Sequence, residues 1–142
     1  MSRDMTHDEW RAFLLHGTRT GKVATVRPDG RPHLAPVWFT LDGDDVVFTT
    51  GERSVKGRSL RADPRVAICV DDERPPFSFV IVEGTATIIE DLDELLHWAT
   101  VIGGRYMGEE LADQYGRRNG QRGELLVRVT PSRLIGQRDI AA

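Results

Sequence analysis

The chain has 142 residues and a formal net charge of −3 at pH 7, and this length fits one domain over residues 1–142 with a buried core. So small a net charge argues against a general binder of nucleic acids, and the single cysteine, Cys69, leaves neither an internal disulfide nor a cysteine pair for a metal. No apolar run approaches the length of a membrane span, and the first residues lack the apolar core of a signal peptide. We therefore expect a cytoplasmic protein with no membrane partner.

The first predicted element is a helix near the N-terminus. Thr6 and Glu9 have the spacing of a capping box, in which each side chain bonds the backbone amide of the other residue. Trp10 and Phe13 share one face, which indicates an amphipathic helix. Gly17 follows, and glycine is the residue type that most readily ends a helix in the left-handed conformation.

Three strands are predicted over residues 21–50. The segments "PDG" at 28–30 and "DGD" at 42–44 separate them, and each combines aspartate and glycine in the manner of tight turns. These strands form an antiparallel meander. A short helix is then predicted from Val55 to Ala62, with Ser54 as its N-cap and Asp63-Pro64 as its end.

The fourth predicted strand is "RVAICVDD", and two or three more strands follow it. The fifth, "FSFVIVEGTATII", is apolar on both faces: Phe77, Phe79 and Ile81 lie on one, and Val80 and Val82 on the other. A helix or a second subunit should therefore cover its outer face. "ELLVRVTP" is a sixth strand, and "RLIGQ" is a possible seventh.

The remaining segments are helical or irregular. Asp91 and Glu94 open a helix that is predicted to end at Gly103-Gly104, and residues 105–123 hold at most one more short helix. The predicted fold class is therefore mostly β with flanking helices: a small barrel of six to seven mainly antiparallel strands.

The stretch "TTGERSVKGRSL", residues 49–60, is the candidate anion site. A helix start exposes free amides and a partial positive charge, and this one has Arg53, Lys56 and Arg58 around it. Gly57 lacks a Cβ and would let a ligand approach the backbone. The alternative interpretation is a solvated helix face that binds nothing.

The sequence lacks the usual catalytic motifs. It has no Walker loop, no dinucleotide-binding glycine pattern, no nucleophile elbow, and no histidines at metal-ligand spacing. If the protein is an enzyme, a bound cofactor should carry the chemistry. Trp38 and Phe39 are adjacent on a strand and face opposite ways, so only one of them can line a given pocket; by default both are core residues.

Three segments resemble the pyridoxamine 5′-phosphate oxidase-like split β-barrel superfamily: residues 21–50, "VKGRSLRADPRVAICVDD" at 55–72, and "FVIVEGTATI" at 79–88. The pattern K-x-R-x-L-x-x-D-P-R at 56–65 is the most specific part, and V-E-G-T-A at 82–86 is the second. The segments are most similar to its actinobacterial branch of deazaflavin-dependent oxidoreductases, which bind coenzyme F420.

The resemblance implies a split β-barrel and a set of cofactor contacts. The phosphate would bind at the end of the third strand and the helix start, at Thr49, Thr50, Arg53, Ser54 and Lys56, with Arg58 on the same anion or on the glutamate tail. The ring would lie against the second strand, at His33, Pro36, Val37 and Trp38. Family members are homodimers with cofactor sites at the interface, where Phe77 and Phe79 would approach the ring of the partner.

The implied activity is hydride transfer from the reduced deazaflavin to an unidentified electrophilic acceptor, such as a quinone, an enone or a tetrapyrrole. No buried carboxylate or tyrosine is evident as an acid, so we expect the proton to come from solvent, with His33 as a distant alternative. An FMN-dependent oxidoreductase on the same fold is the first alternative. FMN-using members carry Arg-x-x-x-Leu-Lys near the end of the second strand, where this chain has "LAPVWFTLDG". A non-catalytic flavin- or deazaflavin-binding protein is the second.

Overall fold

The computed structural model describes residues 3–142. Its strands are β1 (Arg3–Asp4), β2 (Gly21–Val26), β3 (Pro32–Val37), β4 (Thr40–Asp42), β5 (Asp45–Gly51), β6 (Arg65–Asp72), β7 (Ser78–Ile89) and β8 (Glu124–Arg138). Its helices are α1 (His7–Leu15), α2 (Val55–Ala62), α3 (Leu92–Met107) and α4 (Ala112–Asn119), with a 3-10 turn at Glu109–Leu111.

All eight strands belong to one antiparallel sheet. The order of hydrogen-bonded neighbours is β3-β2-β6-β7-β8-β5-β4, and β1 pairs with β8 outside this path. The two ends of the path, β3 and β4, are joined in the chain by only two residues, Trp38 and Phe39. The sheet must therefore curl until its edges lie close together without pairing, which is a split barrel. The predicted fold class is confirmed.

The strand count differs from the predicted six to seven because the short strand β1 (Arg3–Asp4) was not predicted and because two other strand boundaries differ. The second predicted strand is interrupted at Trp38 and Phe39 and becomes β3 and β4. The predicted sixth and seventh strands are one strand, β8, of 15 residues. Its first half pairs with β5, and nearly its whole length pairs with β7, so β8 connects the two halves of the barrel.

The local signals at the helix starts are confirmed. Thr6 and Glu9 form the reciprocal capping box of α1. Ser54 caps α2, whose bounds are those predicted from the sequence, and the side chain of Asp91 caps α3 by accepting from the amides of Asp93 and Glu94. Because each cap uses groups within a few residues, the sequence alone is sufficient to predict it.

The predicted end of α3 is wrong. The helix continues past Gly103 and Gly104 to Met107, and residues 112–119 form α4 against it. A Cβ on Gly103 would lie 2.8 Å from the Cβ of Tyr115, and one on Gly104 would lie 3.3 Å from the Cβ of Ala112. The two glycines therefore allow α3 and α4 to pack closely, and they do not end the helix.

The core fills the barrel interior. Val23, Phe39, Phe48, Val80 and Val82 are among its nearly inaccessible side chains. A smaller cluster of Val47, Leu95 and Leu126 lies where α3 packs on the sheet. On the outer face of β7, Phe79 and Ile81 remain half-buried and Phe77 is exposed within the described chain.

Gly84 provides a test of this architecture, because β7 and β8 shift register between Glu83 and Gly84. A Cβ on Gly84 would lie 2.3 Å from the backbone oxygen of Thr130. We expect Gly84→Ala to lower the free energy of unfolding by about 1–3 kcal/mol, the usual cost of overpacking. Urea denaturation measures this change.

The matched control is Gly51→Ala at the end of β5, where a Cβ would meet nothing within 4 Å. It should change stability by less than about 0.5 kcal/mol. Equal denaturation midpoints for the two variants would contradict the close approach of β7 and β8.

Candidate cofactor-binding site

The first part of the site is the turn from β5 into α2. The Ser54 hydroxyl accepts a hydrogen bond from the amide of Gly57 at 3.0 Å and donates one to the carbonyl of Gly51 at 2.7 Å. The hydroxyl of the buried Thr50 lies 2.9 Å from the same oxygen. Two of the three predicted hydroxyl ligands, Thr50 and Ser54, therefore already support the helix cap.

The amides of the first turn of α2 are available to an anion. In residues 3–142, neither the Val55 amide nor the Lys56 amide has a hydrogen-bond acceptor. Gly57 has a different role from the one expected: a Cβ there would lie 2.5 Å from the carbonyl oxygen of Gly51. It allows the turn to pack against its own helix and does not open space for a ligand.

Four cations surround this helix start without a carboxylate partner. Elsewhere on the same helix or just after it, Arg61 pairs with Glu90 and Arg65 pairs with Asp63. In the described part of the chain, no ion pair or side-chain hydrogen bond involves any of four residues: Arg27, Arg53, Lys56 and Arg58. An anion could bind there without displacing an internal partner.

The pKa of His33 is affected by its position near these cations. It lies on β3 opposite Thr25 of β2. Burial, and then the charges of Arg27 and Lys56, lower the pKa of His33 below its ordinary value. The imidazole is therefore mainly neutral at pH 7, because burial disfavours its charged form and the neighbouring cations add to that effect.

Unsatisfied polar atoms collect in the same region. Within residues 3–142, the buried side-chain atoms that lack a hydrogen-bond partner are Thr25 Oγ1, Arg27 Nε, His33 Nδ1 and Ser59 Oγ. All of them lie on β2, on β3, on α2 or just after β2. A cavity of about 310 Å³ lies between the β2–β3 turn and α2, and its walls include Arg27, Arg58 and Ser59.

A second cavity, of about 200 Å³, lies beside Lys56. One wall is Pro36, Val37 and Trp38 with Thr49 and Lys56, and the other is Ala99, Ile102, Asn119 and Glu124. Five predicted cofactor contacts therefore share one cavity. Trp38 lines it, whereas Phe39 is fully buried in the core, as their opposite orientations on the strand require.

The far wall was not predicted. Burial raises the pKa of the Glu124 carboxyl, against the opposing charge of Arg118. Tyr106 is half-buried and its ring stacks on Trp38. The sequence indicates no carboxylate or tyrosine near the site, and the structure places a half-buried one of each beside Trp38. Glu124 lines the cavity, whereas Tyr106 packs on Trp38. Both residues come from the C-terminal third of the chain through long-range packing, which no local sequence pattern indicates.

Phe77 and Phe79 lie elsewhere in the same chain. Phe77 lines a cavity of about 550 Å³ together with Phe13 and Arg19, between α1 and the start of β7. Phe79 pairs with Asp71 of β6 on the outer face of the sheet. Neither borders the cavity that contains Lys56.

The described residues contain no group of His, Cys, Asp and Glu side chains that could hold a metal ion. They also contain no helix with the length and apolar character needed to cross a bilayer.

Comparisons with known proteins agree with this fold. A family model described as pyridoxamine 5′-phosphate oxidase matches residues 6–136. The 5a,11a-dehydrotetracycline/5a,11a-dehydrooxytetracycline reductase of Streptomyces rimosus subsp. rimosus is 31% identical over 123 residues, covering 81% of this chain and 71% of the reductase.

Two solved structures are also similar. Conserved hypothetical protein Rv2991 from Mycobacterium tuberculosis has a TM-score of 0.84 and 28% identity, covering 97% of this chain and 89% of that chain. An F420 reductase has a TM-score of 0.68 and 30% identity, covering 87% of this chain and 94% of that chain. The chain belongs to the pyridoxamine 5′-phosphate oxidase family and is an oxidoreductase of that family.

Proposed function

We propose that this protein binds the deazaflavin coenzyme F420 and transfers a hydride from its reduced form to an electrophilic organic acceptor. One observation carries the proposal: four unpaired cations and two free helix amides adjoin an apolar strand wall. Such a corner fits a phosphate attached to a planar ring. The F420 reductase at 30% identity supports the choice of coenzyme.

The residues have distinct roles in this proposal. Lys56 and the free amides of α2 hold the phosphate, and Arg53 and Arg58 hold the same anion or the glutamate tail. Thr50 and Ser54 act indirectly, because they build the cap. The reduced coenzyme supplies the hydride, and the chain aligns the ring and excludes water.

The ring would lie along Pro36 and Val37 at the end of β3 and along Trp38 just after it, because these residues share the cavity with Lys56. Thr49 borders the same cavity near Lys56, and His33 lies toward the anion corner. The acceptor stays unidentified. The name of the Streptomyces rimosus relative describes a reductase of 5a,11a-dehydrotetracycline, which supports an enone-like class.

The proton has two protein candidates besides solvent. Burial raises the pKa of the Glu124 carboxyl, so a larger fraction of it stays protonated near neutral pH than for an exposed glutamate. Glu124 also lines the cavity of Trp38. His33 is mainly neutral at pH 7 because its pKa is lowered, which makes it a weaker donor.

We also propose that the protein is a homodimer with the cofactor site at its interface. Ile81 of β7 lies in register with Cys69 of β6 and with Ile135 of β8, which makes a half-buried apolar row on the outer face. Leu34 of β3 is 68% exposed. A second copy would bury these side chains and bring its Phe77 and Phe79 toward the ring.

Two other functions stay open to test. An FMN-dependent oxidoreductase would use the same barrel and phosphate corner, and a non-catalytic carrier would bind the ring without turnover. Titration of the purified protein with oxidised F420 and with FMN distinguishes the proposed F420-dependent enzyme from an FMN-dependent one. We expect a colourless protein that binds F420 at least about tenfold more tightly than FMN, a difference of about 1.4 kcal/mol.

A yellow protein that binds FMN more tightly would contradict the deazaflavin assignment. Turnover of the reduced coenzyme with a panel of quinones, enones and tetrapyrroles distinguishes an enzyme from a carrier. Binding without turnover of any acceptor would support the carrier.

Lys56→Ala tests the phosphate contact. The variant should lose about 1.5–3 kcal/mol of coenzyme binding free energy, the usual contribution of a charge-assisted hydrogen bond. The free energy of unfolding should barely change, because Lys56 takes part in none of the ion pairs within residues 3–142. Fluorescence titration measures the dissociation constant.

Arg61→Ala is the matched control, because Arg61 lies on the same helix and pairs with Glu90. It should leave coenzyme affinity within about twofold. An equally small effect of Lys56→Ala would show that the phosphate assignment is wrong.

The dimer predicts a specific dissociating substitution. Ile81→Glu places a charge in the proposed interface and should convert a particle of twice the chain mass into one of single mass, as measured by sedimentation velocity. Thr87→Glu, on the same face near the other end of β7, should leave the mass unchanged. A monomeric wild type would contradict the proposed dimer.

A further inference from the structure

Trp38 is fixed by a residue far away in the sequence. Its indole stacks on the ring of Tyr106, with centroids 5.1 Å apart and planes inclined by 4°. The ring of Tyr115 also approaches it, but at 5.8 Å and a tilt of 57°. Only Tyr106 therefore presents a flat face to the indole.

Tyr106 is itself held at its hydroxyl. The hydroxyl donates to the carbonyl oxygen of Arg19 at 2.7 Å and accepts from the amide of Phe39 at 3.2 Å. The first contact is to the segment before β2, and the second is to the residue next to Trp38. Tyr106 therefore links the last turn of α3 to the segment before β2 and to the residue after Trp38.

Arg105 strengthens the same tie. Its guanidinium donates to the carbonyl oxygens of Leu14 at 2.7 Å, Gly17 at 3.1 Å and Phe39 at 2.7 Å. It lies 4.9 Å from the centre of the Tyr106 ring. Burial lowers the pKa of Arg105, and among its described neighbours only carbonyls and aromatic rings stabilise the charge. Its side chain therefore orders the backbone around Trp38.

We propose that Tyr106 is a positioning residue that holds the Trp38 indole as a fixed platform for the planar ring of the deazaflavin. Trp38 is half-buried and lines the cavity that also contains Lys56. Tyr106 covers one face of the indole, and the cavity borders the side chain. This inference rests on the proposed function, and it adds the C-terminal third of the chain to ring binding.

The physical gain is preorganisation. An unsupported indole on a strand edge would sample several orientations, and binding would have to select one of them. The two hydroxyl bonds and the stacked contact impose that order before the ligand arrives. Removing them should weaken ring binding and leave the anion corner, on β2, β3 and α2, unaffected.

The experiment compares two probes: a deazaflavin that lacks the phosphate tail, and inorganic phosphate. Tyr106→Met keeps apolar volume but removes the stack, and it should weaken binding of the ring about three- to tenfold. Phosphate affinity should stay within about twofold. Tyr115→Met, which removes the tilted contact, is the control and should change neither affinity by more than about twofold.

A double-mutant cycle with Trp38→Leu shows whether Tyr106 acts through the indole. In the Trp38→Leu background, Tyr106→Met should have no further effect on ring binding. An undiminished effect there, or equal weakening of ring and phosphate, would overturn the proposal.

If Tyr106→Met does not fold, Tyr106→Phe tests whether Tyr106 positions the indole. It keeps the stack and loses both hydroxyl bonds, so ring affinity should fall about two- to threefold, and phosphate binding should be unchanged. Ring affinity equal to wild type would contradict positioning by the hydroxyl. A wild type that binds phosphate but not the deazaflavin ring would instead refute the proposed function, and this inference with it.

Discussion

Uncompensated positive charge at the start of α2 is the feature on which the rest of the site depends. The chain pairs cations with carboxylates at many places, for example Arg19 with Asp72 and Lys22 with Asp71. Within residues 3–142 no carboxylate pairs with Lys56, and the charges of Arg27 and Lys56 add to burial in lowering the pKa of His33. Mutual repulsion of these groups raises the free energy of the unliganded protein, so an anion that binds there both gains attraction and relieves repulsion. The repulsion among these cations in the unliganded protein therefore shifts the equilibrium toward the anion-bound state.

The barrel topology converts this local charge into a two-part site. Strand β8 pairs with β5 and β7 at once, and its first residue, Glu124, lies opposite Gly51 at the end of β5. The same strand therefore holds the turn before α2 and supplies the unpredicted wall of the Trp38 cavity. Helix α3 supplies Tyr106, which stacks on Trp38, and Gly103 and Gly104 let α4 pack tightly against this helix. Anion corner and ring wall are thus fixed by one continuous set of contacts.

The features that could be predicted from the sequence are those formed between residues close together in the chain. The caps at Thr6 and Ser54 involve neighbours within three residues, and the sequence predicts them correctly. The split-barrel class followed from strand patterns and the family resemblance. The break after Val37, the continuity of β8 and the positions of Glu124 and Tyr106 depend on which strands pair and which helix covers them. Gly57 and Gly103 show the same limit of sequence-based prediction. The presence of a glycine does not reveal whether it is needed for a ligand, for a turn or for a helix contact.

The position of a lysine between two arginines now has a physical explanation within the proposed function. Toward His33, Lys56 faces the cationic corner; toward Trp38, it borders a cavity that also contains the Glu124 carboxyl. A phosphate in the Trp38 cavity would meet that carboxyl. In the cavity beside α2 it would meet Arg27 and Arg58, and the carboxylate there, Asp29, is already paired with Arg31. Under the proposed function we therefore expect the anionic tail on the His33 side and the uncharged part of the ring on the Trp38 side. A flexible point charge suits the junction, since it can follow the phosphate without covering the ring.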